Sequence, residues 1–108
     1  MRNRIIVEKM LGYIDRILSY CSEKDYTAFI SDTILTEACV FNLSQLGELA
    51  TKLDSDYTAE HSDIPWNEMR GLRNRIVHDY EGVKLILVWE IISEDLPILK
   101  EKLSLLKK

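Results

Sequence analysis

Residues 31–53, SDTILTEACVFNLSQLGELATKL, decide the fold class. Leu35, Cys39, Asn42, Leu46, Leu49 and Leu53 recur at steps of three and four, and Ile34, Ala38 and Phe41 form a second stripe beside them. That period belongs to an α-helix and not to a strand. The spacing predicts a helix from Ser31 or Asp32 to Leu53. Two adjoining apolar stripes make a wide face, which predicts a central helix that also meets a second subunit. Asn42, Gln45 and Glu48 lie beside or within this face, as solvated edge groups or as satisfied interface contacts.

The same period extends in both directions. Upstream, Ile6, Met10, Tyr13 or Ile14, and Ile17 mark an amphipathic helix over about 3–20. A polar break at 21–27 follows, in which Asp25 is placed to cap a short turn through Phe29. Downstream, 54–62 is polar and aperiodic and reads as a loop, with His61 a surface residue in it. Asp63-Ile64-Pro65-Trp66 then opens a third helix, with Asp63 as the acceptor for orphan amides and Pro65 in the first turn. Trp66, Met69, Leu72 and Ile76 form its buried side. Gly71 costs that helix about 1 kcal/mol relative to Ala unless something packs closely there. A fourth helix starts near Val83, with a seam of Leu85, Val88, Ile92, Leu96, Leu99, Leu103 and Leu106. Pro97 lies within it and should kink or divide it. The sum is an all-α, up-and-down four-helix bundle in one domain spanning 1–108.

Composition agrees with this reading. The 108 residues are 46% hydrophobic and 30% charged with four Gly and two Pro, a profile of a compact helical domain rather than a β-rich or disordered one. Two Cys without a CxxC pair, and only two His, give no apparent zinc set. No apolar run approaches the roughly 20 residues of a membrane span, and Glu8 and Lys9 interrupt the run that a signal peptide needs. The expectation is a cytoplasmic protein with reduced thiols. A net charge of −4 draws in no polyanion globally, so attraction to nucleic acid has to be local.

The local source is Arg70 together with Arg73-Asn74-Arg75-Ile76-Val77-His78-Asp79-Tyr80. An imidazole titrates near neutrality and can move a proton as a ribose 2′-OH attacks the adjacent phosphorus. A guanidinium offers paired donors to the non-bridging oxygens, whose charge must be stabilised as the bond breaks. Asn74 is suited to position the phosphate, and Arg75 and Arg70 to add affinity. The strip calls for no cofactor and no metal. As a free pattern the spacing is weak, and by itself it favours a set of arginines that solvate a helix while His78 ends it. Geometry adds a constraint: Arg73 and His78 are five apart and diverge by roughly 140° on a regular helix, whereas Asn74 and His78 share a face. Either the helix ends or distorts before His78, or a second subunit supplies a facing strip.

These residues also carry a resemblance. Asp63-Ile64-Pro65-Trp66 and 70–80 resemble the signature of the HepT-like branch of the HEPN proteins. Residues 43–50 are similar to that family's second-helix segment, and Val88-Trp89-Glu90 with Asp95-Leu96-Pro97 to its last helix. The resemblance implies an all-helical homodimer whose two strips face a shared cleft. It implies Arg73 and His78 as the catalytic pair of an endoribonuclease, and the residue types themselves suggest metal-independent cleavage; Glu48 and Asn42 on the second helix are candidate supporting residues. It further implies a type VII toxin–antitoxin pair, in which a minimal nucleotidyltransferase antitoxin silences the toxin by adenylylating Tyr80. A different class of function remains open at this point, namely a non-catalytic helical adaptor that presents nucleotide or substrate to such a nucleotidyltransferase.

Overall fold

The computed structural model describes residues 2–78 and 85–106, with 73–78 described as backbone. Every regular element among them is helical. Helix α1 (Arg2–Tyr20) buries Ile6, Val7, Met10, Leu11, Ile14 and Ile17, the predicted stripe plus its immediate neighbours. The chain leaves it through a turn in which Glu23 takes a positive φ of 62°. Helix α2 (Tyr26–Ser31) is capped by Asp25, whose carboxylate accepts from the Ala28 amide at 2.8 Å.

Asp32 closes α2 and opens the next helix. Its amide donates to the Phe29 carbonyl, and its carboxylate accepts from the Leu35 amide at 3.0 Å. A cap of this kind contributes about 1 kcal/mol. Helix α3 (Thr33–Ala50) is therefore shorter than predicted at both ends. It stops when the Thr51 amide and hydroxyl both turn back onto Glu48. Leu53 is still buried, from the turn beyond. Helix α3 packs on α1 and on α5 (Trp66–His78), which makes it the central element.

The second stripe is not part of that buried face. Ile34 is 81% exposed and Phe41 59% exposed, with Ala38 half-buried between them. Val40, Leu43, Gly47 and Ala50 fill the core side instead. Within one chain the interior is reached by a single wide arc of α3, and the Ile34–Phe41 arc lies on the outside.

Residues 54–62, read as a loop, contain a short helix, α4 (Ser55–Glu60). Six residues are too few to display a helical period, and only Thr58 among them is buried. Asp54 anchors the segment by accepting from Arg2 and Asn3, while its own amide donates to the Asn3 side chain. These bonds join the end of α3 to the start of α1, so the two helices run antiparallel.

Asp63 does not cap α5. The first helical bond runs from the Met69 amide to the Pro65 carbonyl, which places the cap two residues later. Asp63 instead presents its backbone carbonyl to the Lys102 ammonium at 2.9 Å. Among the described residues, an added Cβ at Gly71 meets nothing within 4 Å, so none of them calls for a glycine there by close packing.

The last helical run is divided into α6 (Leu85–Glu90), a π-helical turn (Ile91–Asp95) and α7 (Leu96–Leu106). The sequence places the break at Pro97, and the structure places it just upstream. Pro97 has no amide for the Ser93 carbonyl, and its ring crowds that carbonyl in a regular helix. The π turn, in which the Leu96 amide reaches back to Ile91, widens the backbone ahead of the ring. Val88, Ile92, Leu96, Leu99 and Leu103 remain on one buried seam across it. Helix α7 packs on α1, and α2 packs on α6, where the rings of Phe29 and Trp89 are 5.1 Å apart.

Candidate ribonuclease site

Helix α5 carries the strip because Trp66, Met69 and Leu72 bury one side of it against α3. Ile64 is also buried, and the Trp66 indole donates to the His61 carbonyl at 2.9 Å, which fixes the start of the helix. The backbone then stays helical through His78. Arg70, Arg73, Asn74, Arg75 and His78 thus ride on one element. Of the two geometric alternatives raised by the sequence, an early end to the helix is removed. On this path Arg73 and His78 stand roughly 140° apart around the axis.

Arg70 is half-buried and donates to the Asn67 side chain at 3.1 Å, one turn earlier. The side chains of Arg73, Asn74, Arg75 and His78 lie outside the described residues, as does the whole of Tyr80. On α3, Asn42 is buried, and its amide nitrogen donates to the Ala38 carbonyl at 2.7 Å. That bond turns the nitrogen back along its own helix. Gln45 and Glu48 are half-buried one and two steps further along α3, the helix that packs against α5.

His61 is more enclosed than a surface loop residue. It is half-buried, with its ring 4.7 Å from that of Tyr57, and burial raises the Tyr57 phenol above its usual range. Its company is structural, through the Trp66 indole. Sequence reasoning also missed an apolar groove of about 360 Å³ beside the first half of α5, lined by Pro65, Met69 and Leu72 against Ile91, Leu96 and Leu99. These side chains read as ordinary core residues, and no pattern in the sequence announces the π turn that shapes the groove's far wall. Among the described residues, no helix is long and apolar enough to cross a membrane.

A family model described as "Ribonuclease HepT-like" matches residues 10–106. "Putative RNase MJ1380" of Methanocaldococcus jannaschii is 32% identical over 89 residues, covering 82% of this chain and 82% of that protein. "Putative RNase TTE0752" of Caldanaerobacter subterraneus is 32% identical over 99 residues, covering 85% of this chain and 88% of that protein. "Probable ribonuclease HepT" of Thermococcus cleftensis is 30% identical over 102 residues, covering 94% and 93%. No solved structure matches the chain significantly. With almost its whole length matched and relatives named as ribonucleases, the chain belongs to the HepT-like ribonuclease family.

Proposed function

We propose that this protein is a metal-independent endoribonuclease, acting as a homodimer in which two α5 strips line one cleft. His78 moves the proton of the attacking ribose 2′-OH, and Arg73 neutralises the charge that builds on the phosphate oxygens. Asn74, Arg75 and Arg70 hold the RNA backbone. The helices α1, α3, α5 and the α6–α7 run serve as an up-and-down four-helix bundle that presents the strip. The observation that carries this reading is the continuity of α5 through His78. A helix that stays regular to that point keeps Arg73 and His78 apart within one chain, so a shared phosphate calls for a facing copy.

The exposed Ile34–Phe41 arc supports the dimer, since an apolar stripe left in water on the central helix is an unfavourable surface for a monomer. Light scattering at micromolar concentration is expected to give about twice 12.6 kDa. Phe41→Glu, which places a charge in that arc, is expected to shift the protein toward monomer. A monomeric wild type that still cleaves RNA would remove the shared cleft.

The biological setting we infer is a type VII toxin–antitoxin pair, with a minimal nucleotidyltransferase as antitoxin and Tyr80 as the adenylylated residue. An adenylyl group there adds a phosphodiester charge two residues from His78, which occupies an anion site and repels RNA together. Tyr80→Phe is expected to cleave RNA as wild type does and to escape silencing by the partner enzyme with ATP and Mg²⁺. Intact mass after that treatment checks it. AMP added equally to the Phe variant, or undiminished cleavage by the modified wild type, would refute the switch.

A further inference from the structure

Cys21 and Cys39 stand apart from the ribonuclease strip. Both are free and buried, and their sulfurs are 3.6 Å apart between the end of α1 and the middle of α3. We propose that this pair is a reversible disulfide site that closes the segment carrying α2 and ties the end of α1 to α3.

The geometry is close to closure. The sulfurs are about 1.5 Å further apart than the ~2.05 Å of a disulfide. Cys21 lies just past α1, at the head of the turn in which Glu23 takes its positive φ, so the remaining movement falls on a turn rather than on α3. Hydrogen bonds from the Cys21 amide to Ile17 and from the Lys24 amide to the Cys21 carbonyl hold that turn beside Cys39.

The oxidant is a low-molecular-weight disulfide. Cys21 is 8% exposed and Cys39 fully buried, so exchange begins at Cys21. Its thiol gives its proton to solvent, and the sulfur attacks one sulfur of the oxidant. The oxidant's S–S bond breaks, and its first half leaves as a thiol after taking up a proton. Cys39, deprotonated in turn, attacks the Cys21 sulfur of this mixed disulfide and expels the second half as a thiol. Two protein thiols are oxidised to one disulfide while one small disulfide is reduced to two thiols. Burial raises both thiols, Cys39 to about 12, which lowers the thiolate fraction and slows the exchange.

The covalent loop encloses all of α2. Because Phe29 of α2 packs on Trp89 of α6, the bond braces the element that begins at Leu85, shortly after Tyr80.

The test treats the full-length protein with glutathione disulfide and reads intact mass without reductant. The expected result is a loss of about 2 Da with both thiols blocked to alkylation, reversed by dithiothreitol. Tm should rise by about 10 °C, and amide exchange across 22–38 should slow. Cys21→Ser and Cys39→Ala, each checked for helical circular dichroism, should show no such loss. Three results would overturn the proposal: a stable glutathione adduct without closure, closure only in the urea-unfolded chain, or a lower Tm after closure.

Discussion

Arg73→Ala and His78→Ala are each expected to lower RNA cleavage by at least about 100-fold. Removing a positioned acid–base group typically costs 10²–10⁴, and removing a donor to a developing oxyanion costs on the order of 10²–10³. The two residues serve one transition state, so the double variant should lose little more than the worse single one. Both positions lie on the last two turns of α5, beyond the Trp66–Met69–Leu72 face that anchors it. Circular dichroism and urea unfolding should therefore stay near wild type. Mixing the two single variants adds a further check on the shared cleft. If each subunit contributes one residue to each catalytic pair, a mixed dimer regains one intact pair, and cleavage partly returns. Full activity in either single variant would place the chemistry elsewhere.

The second large effect is on stability. Phe29→Ala is expected to cost about 3–5 kcal/mol, the usual range for truncating a buried aromatic ring. Phe29 is fully buried and is the only buried residue of α2, so this short helix depends on it. Its ring also meets Trp89, which couples α2 to α6. Set against a typical total of about 5–15 kcal/mol, the loss brings the domain close to unfolding at ambient temperature. Urea unfolding followed by circular dichroism measures it. A cost under about 1 kcal/mol would mean that α2 is not packed as described.

Long apolar periods were legible in the sequence, and short or context-dependent features were not. Ile6, Met10, Ile14 and Ile17 reported α1 directly, and Val88 through Leu103 reported the last seam across the π turn. Asp25 was recognisable as a cap because a polar break precedes it. Asp63 looked equally suitable, but Pro65 took the cap position and moved the helix start to Trp66. Helix α4 left no trace, because a six-residue helix with one buried position has no period to read. Ile34 and Phe41 were correctly seen as apolar and helical, but hydrophobicity does not say whether the partner is the same chain or another. The strip at 70–80 stood out by its residue types alone, while the relation of Arg73 to His78 depended on where α5 ends, which those residue types left open.

The most direct measurement incubates the purified protein with single-stranded RNA in EDTA and identifies the new 5′-fragment ends. The expected result is cleavage that persists in EDTA, leaves 2′,3′-cyclic phosphate ends and disappears in Arg73→Ala and His78→Ala. Cleavage that EDTA abolishes and Mg²⁺ restores, or that survives in both variants, would contradict it.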